Sequence, residues 1–282
     1  MKEIGLVLEG GALRGVFTAG VLDFLIERNI YFPYIVGASA GACNMLGYIS
    51  KQKGYTRDSM IQKEASQRFF GLNQLLQTGK ILNLDRIFFE FPYKENPFDF
   101  DTYFNSGIEG EMVVTNCLTG KAEYFQEKSQ EKRLSSIGKA SSSMPLFTSM
   151  VNIDGQLYLD GGLSDSIPIQ RALDKGYEKN VVILTRNRGS TVTLTTYQKK
   201  MYQSFYNRYP ELLNTILSRP GMYQKKLEYI QALEEAGKIF VIQPDQPTVK
   251  RLETDYDKLL LHYQHGYDLM NVKFESLMQF IS

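Results

Sequence analysis

The chain opens on a short apolar run, Ile4-Gly5-Leu6-Val7-Leu8, that stops at Glu9-Gly10-Gly11. Five such residues closed by a glycine turn have the texture of a strand buried on both faces of a parallel sheet. Over 16–28 the period changes: Phe17, Val21, Phe24 and Leu25 recur at helical spacing, while Asp23, Glu27 and Arg28 fall off the stripe. This predicts an amphipathic helix. Tyr34-Ile35-Val36 after Pro33 predicts a second strand, and 40–50 a second helix that begins in small residues. Two strand–turn–helix units in succession predict an α/β fold, a mostly parallel sheet with helices on its faces.

Further along, a helix is expected over 57–70. Ile87-Phe88-Phe89-Glu90-Phe91-Pro92-Tyr93, followed by Asn96-Pro97-Phe98, is aromatic and proline-broken and reads as a loop or cap. Strands are expected over 111–117 and 122–126 around Thr119-Gly120, then a helix over 132–142 stopped by Pro145. Asp154-Gly155, between 151–153 and 156–159, is a two-residue hairpin signature because both turn positions need positive φ. The second hairpin strand runs into Asp160-Gly161-Gly162. Pro168 opens a helix that ends near Gly176, and 181–185 is another buried strand. Beyond about 190 the pattern is helical over 194–217, 223–236 and 253–281, with one strand over 239–242. The expected organisation is a core of residues 1–190 and a helical extension, 191–282, packed on it.

Composition narrows the function. Lys plus Arg number 32 and Asp plus Glu 31, a net +1, so no bulk field gathers nucleic acid. Cys43 and Cys117 are too few for a disulfide framework and lack zinc-site spacing, which fits a reducing compartment. The first apolar run is too short for a signal-peptide core, and no stretch reaches the ~18 apolar residues of a membrane span. A cytoplasmic protein is expected, with any membrane contact peripheral; neither metal nor organic cofactor is expected.

Three segments carry candidate chemistry. Gly37-Ala38-Ser39-Ala40-Gly41 lies between a predicted strand and a predicted helix. It reads either as a close-packed turn or as a nucleophile elbow, whose glycines flank the serine because side chains there would collide with backbone. Gly10-Gly11-Ala12-Leu13-Arg14-Gly15 lacks the third glycine and the acidic residue of a dinucleotide fingerprint. It also lacks the Lys-Ser or Lys-Thr of a P-loop. What remains is a plain turn or a nest of backbone N–H groups for an oxyanion. Asp160 reads as a turn aspartate, or as the base a serine needs. The only histidines, His262 and His265, sit three apart on a predicted helix, on a partly exposed face.

Taken together and in this order, these segments resemble the oxyanion, nucleophile and aspartate blocks of the patatin-like phospholipases. Ser143-Met144-Pro145 and Ile167-Pro168 resemble lesser blocks of that family, and the likeness covers about residues 4–190. The resemblance implies a three-layer α/β/α sandwich with a mostly parallel central sheet. It implies a lipid acyl hydrolase working through an acyl-enzyme with Ser39 as nucleophile and Asp160 as base. The oxyanion donors would be the N–H groups of Gly10, Gly11, Ala12 and Ala40, with Arg14, Gly15, Gly37, Gly41, Gly161 and Gly162 supporting the motifs. Ala12 stands where the family commonly has glycine. The C-terminal helices resemble the tail of a bacterial subgroup and receive no role from the likeness. Two alternatives stay open: a Ser-Asp-His esterase using His262 or His265, and a lipid-binding regulatory protein with little turnover.

Overall fold

The structure, a computed structural model, describes residues 3–64, 68–69, 71 and 82–282. Strands β1 (Ile4–Leu8), β2 (Tyr34–Ala38), β3 (Glu109–Asn116), β4 (Ala122–Phe125), β5 (Val151–Ile153), β6 (Gln156–Asp160), β7 (Lys179–Ile183) and β8 (Ile239–Ile242) form one mixed sheet. Its order is β5-β6-β3-β2-β1-β7-β8, with β4 beside β3. The pairs β3–β2, β2–β1, β1–β7 and β7–β8 are parallel, and the pairs with β4, β5 and β6 are antiparallel.

The two-residue period of the strands sets the layers. Leu6 and Leu8 join Phe17 and Val21 of α1 (Val16–Glu27), Met45 of α2 (Ala40–Ile49) and Met270 of α10 (Tyr256–Ile281) in one core. Val7 points the other way, with Val36, Val113, Val182 and Val241. This second core is covered by Ile169 and Ala172 of α7 (Ile169–Asp174) and Tyr223 and Ile230 of α9 (Pro210–Glu235). The result is the expected three-layer α/β/α arrangement.

Several elements differ from expectation. The helix expected over 57–70 is α3 (Tyr55–Met60); residues 65–67 and 70 of that expectation lie outside the described residues. The supposed loop after 86 is helical: a π turn, Arg86–Glu90, passes into α4 (Phe91–Lys94), because Pro92 falls in the first turn where its missing N–H costs nothing. α5 (Phe100–Asn105) follows, N-capped by Asp99, and α6 (Glu131–Ser141) covers the helix stopped before Pro145. The 154–155 hairpin turn has both φ positive, 51° and 84°. The helix expected over 194–217 is two. α8 (Thr196–Phe205) is opened by a Thr195/Gln198 capping box, and α9 restarts at Pro210 and continues through Pro220 to Glu235.

The C-terminal segment is built into the core. β8 pairs with β7 from Asn180↔Ile239 to Ile183↔Ile242, and α10 lies along α1. Their backbones approach so closely that a Cβ on Gly20 would run into the Tyr263 carbonyl oxygen, and one on Gly266 into that of Phe17. Tyr263 also donates its hydroxyl to the buried Asp23 carboxylate at 2.8 Å.

Candidate active site

β2 ends at Ala38 and the chain turns sharply into α2. Ser39 occupies the corner at φ 53°, ψ −120°, a conformation that costs an L-residue about 1–3 kcal/mol. The flanking glycines make the corner possible. A Cβ on Gly37 would lie 2.6 Å from the Gly41 carbonyl carbon, and one on Gly41 would run into the Leu8 carbonyl oxygen. The corner is tied to its surroundings: the Ser39 N–H donates to Ser141 Oγ at 3.0 Å, and Asn44 Nδ2 donates to the Gly15 and Ala40 carbonyls at 3.0 and 2.9 Å.

Sheet register brings Asp160 to Ser39. Along β3, Val113 pairs with Ala38 of β2, and the next residue, Val114, pairs with Asp160 of β6. Because β4 already occupies the other side of Val113 and Val114, β6 takes over the position along β3 that β2 vacates at the elbow. Ser39 Oγ therefore donates to Asp160 Oδ2 at 2.8 Å, and the Gly162 N–H donates to Oδ1 at 2.7 Å. Thr115 Oγ1 and Ser143 fix the Asp160 backbone, the first donating to its carbonyl and the second accepting its N–H, both at 2.8 Å. Asp160 is 3% exposed. Burial raises its pKa above the ordinary carboxylate range, opposed by Arg251, the Ser39 hydrogen bond, the Gly162 N–H and Arg219.

The glycine turn stands beside this pair and alters one expectation. The Gly10 N–H donates to the Ser166 carbonyl at 3.1 Å, so it is committed within the protein and is not available to an oxyanion. Leu13 is likewise committed, to the Arg251 carbonyl at 3.2 Å. Among the described residues the N–H groups of Gly11 and Ala12 have no acceptor, and Ala12 takes φ 50°, where glycine would be easier. The first-turn N–H of Ala40 is free of intrahelical bonding by position. Arg14 Nε donates to the Val249 carbonyl at 3.2 Å. Gly15 packs against Ala40, and Gly161 against the Val113 backbone.

An apolar cavity opens at Ser39. Ala12, Ala40 and Met144 line its near end, and Leu46, Phe88, Phe98, Phe100 and Leu134 its walls. The aromatic segment thus serves both as core and as cavity wall. Cys43, one turn into α2, faces this space with its thiol pushed up to about 11 by burial. The histidines correct the sequence reading: both are buried, not partly exposed. They pack on Phe17, and His265 Nε2 lies 2.6 Å from Asp245 Oδ1. Neither hydrogen-bonds to Ser39 or Asp160 among the described residues.

Some residues at the site were not singled out in the sequence. Glu9, which ends the first apolar run, is 1% exposed and accepts hydrogen bonds from the Thr185 N–H at 2.5 Å and from Tyr223 Oη at 2.6 Å. An acid directly ahead of a glycine turn was its only signal. Arg219, Tyr223 and Arg251 reach the site from the C-terminal segment, and nothing local in their sequence marks them. Among the described residues no cluster of His, Cys, Asp and Glu could hold a metal ion, and no helix is long and apolar enough to cross a membrane.

A three-layer α/β protein with a strained serine elbow hydrogen-bonded to a buried aspartate defines the class. The chain belongs to the patatin-like phospholipase family, whose profile matches residues 6–173. A second profile, a domain of unknown function (DUF6363), matches 209–282. The chain is 30% identical over 250 residues to Uncharacterized protein YjjU of Escherichia coli strain K12, covering 87% of this chain and 69% of that one. It is 23% identical to a cGAMP-activated phospholipase of Pseudomonas aeruginosa, over 58% of this chain and 53% of that protein. It is 27% identical to lysophospholipase NTE1 of Candida glabrata, over 62% of this chain and 10% of that protein. The crystal structure of VipD from Legionella pneumophila shares the fold, with a TM-score of 0.50 and 15% identity, over 98% of this chain and 67% of that one. Family membership supports lipid acyl hydrolase activity and a lipid substrate.

Proposed function

We propose that the protein is a serine hydrolase that cleaves the acyl ester of a lipid through a Ser39–Asp160 dyad. The observation that carries the reading is the 2.8 Å hydrogen bond from Ser39 Oγ to Asp160 Oδ2, on an elbow that opens into an apolar cavity. Ser39 Oγ attacks the ester carbonyl and its proton passes to Asp160 Oδ2, whose raised pKa brings it nearer to the strength a general base needs. The tetrahedral oxyanion is held by the N–H groups of Gly11, Ala12 and Ala40, the last at the positive end of α2. Asp160 returns the proton to the leaving alkoxide. The acyl-Ser39 ester is then attacked by water that Asp160 deprotonates; the acyl–Oγ bond breaks, Asp160 returns the proton to Ser39 Oγ, and the fatty acid leaves from the cavity.

The unpaired cysteines Cys43 and Cys117 fit work in the cytoplasm, with lipid met at a membrane surface. The test is hydrolysis of p-nitrophenyl octanoate. Ser39→Ala and Asp160→Asn each abolish turnover in a folded protein, and His262→Gln/His265→Gln retains it. A double histidine variant that folds but is dead would replace the dyad with a triad.

A further inference from the structure

Four arginines stand close enough to one another, to Asp160 and to Glu9 at the glycine turn to act on them electrostatically. Arg14 and Arg186 come from the core and Arg219 and Arg251 from the C-terminal segment. Arg219 Nε donates to the Gly162 carbonyl at 2.6 Å, next to the N–H that holds Asp160, and its Nη2 faces Ser166 Oγ at 3.5 Å. Arg251 Nη2 reaches Met144 Sδ at 3.3 Å; Met144 and Leu252 both line the cavity at Ser39. The Arg251 carbonyl caps Leu13, directly after Ala12. Arg186 lies 5.6 Å from the Tyr223 ring centroid, and Arg14 Nη1 is buried with no hydrogen-bond partner.

Among the described residues, the hydrogen-bond and ring partners of these guanidiniums are neutral: backbone carbonyls, a hydroxyl, a thioether and a phenol ring. None of the four forms a salt bridge among the described residues. They also act on one another. Burial and the charges of Arg186 and Arg251 lower the pKa of Arg14, and burial with the charge of Arg251 lowers that of Arg219. Among the described residues, the carboxylates whose charge acts on Arg14 and Arg219 are Glu9 and Asp160. Glu9 is occupied by Thr185 and Tyr223, and Asp160 by Ser39 and Gly162. Four cations against two carboxylates leave positive charge uncompensated beside the nucleophile, in a chain whose net charge is only +1. The charge is therefore local, and guanidiniums arranged in this way suit a phosphate.

We propose that the four arginines bind a phosphate group of the acyl-ester substrate, so that Arg219 and Arg251 of residues 209–282, with Arg14 and Arg186 of the core, form the head-group half of a site whose acyl half is the apolar cavity. The proposal rests on the ester-hydrolase reading for the chemistry beside the phosphate. Glycerol places a phosphate only a few bonds from an acyl ester, which suits arginines adjoining the dyad.

The experiment separates binding from turnover. The inactive Ser39→Ala protein is titrated calorimetrically with octanoyl-lysophosphatidic acid and with mono-octanoylglycerol, which share an acyl chain and differ in the phosphate. The phosphate ester binds at least tenfold more tightly. Adding Arg251→Gln or Arg186→Gln removes at least tenfold of that preference, and Arg251→Lys restores part of it, while thermal melts report that each variant is folded. Arg219 is left intact because its loss also frees the Gly162 carbonyl. Equal binding of the two ligands, or a preference that survives both substitutions, overturns the proposal whether or not the native protein turns over either ester. Turnover is then measured on native protein: hydrolysis of neither ester, with phosphate-selective binding intact, counts against the hydrolase reading alone.

Discussion

Replacing Ser39 by glycine and by alanine separates two energies stored at the elbow. Both substitutions remove the Oγ hydrogen bond to Asp160 and leave Oδ2 of a carboxylate that is 3% exposed without that donor, a loss of about 1–3 kcal/mol. Only glycine also relieves the backbone at φ 53°, ψ −120°, worth about 1–3 kcal/mol to an L-residue. Glycine gives back about 0.5–1 kcal/mol through the greater freedom of the unfolded chain. At the middle of these two ranges Ser39→Gly should be more stable than Ser39→Ala by roughly 1 kcal/mol, and both should be inactive. Urea denaturation at neutral pH measures the difference, with equal m-values as the check that the same unfolding is compared. A glycine variant no more stable than the alanine variant would refute the claim that Ser39 is held in a strained turn.

Three further outcomes follow from the same geometry. The positive charge of Arg251 is the largest effect opposing burial on Asp160, so Arg251→Gln raises the Asp160 pKa and moves the acid limb of kcat/KM for p-nitrophenyl octanoate to higher pH; an unmoved or lowered limb contradicts it. Burial lowers the pKa of His262 from its ordinary 6.5 to about 4, so the unfolded chain binds a proton in that window that the folded chain refuses. Stability then falls as pH drops from about 6.5 toward 4, by up to about 3 kcal/mol, and His262→Gln flattens that stretch of the denaturation profile. Cys43 faces the cavity one turn beyond Ser39; Cys43→Met should lower kcat/KM for octanoyl esters about tenfold more than for acetyl esters, and an equal loss for both would deny that the acyl chain lies there.

How far the sequence speaks depends on the range of each interaction. The elbow was legible because its requirements are local: glycines at 37 and 41 around Ser39, between an apolar strand and a helix of small residues. The Asp154-Gly155 hairpin was legible for the same reason, since two adjacent residues carry the needed φ. Asp160 alone reads first as a turn residue. What joins it to Ser39 is the handover from β2 to β6 along β3, a matter of sheet register that no local pattern carries. The glycine turn was recognisable, but loss of the Gly10 N–H to the Ser166 carbonyl depends on a loop far along the chain. The tail was the least legible. Its helices had the right period, yet β8 joining the sheet, Gly266 meeting α1, Arg219 reaching the Gly162 carbonyl and Arg251 reaching Met144 are long-range events. The break before Pro210 and the passage through Pro220 reversed the weight that the sequence assigned to those positions.

The account stands on Ser39 being a nucleophile that Asp160 activates. Covalent labelling with a fluorophosphonate, read by intact-protein mass spectrometry, tests this without knowledge of the substrate. One adduct on the native protein, mapped to Ser39, absent from Ser39→Ala and formed far more slowly on Asp160→Asn, is the predicted result. A folded native protein that takes no label, or labelling that survives Ser39→Ala, would contradict it.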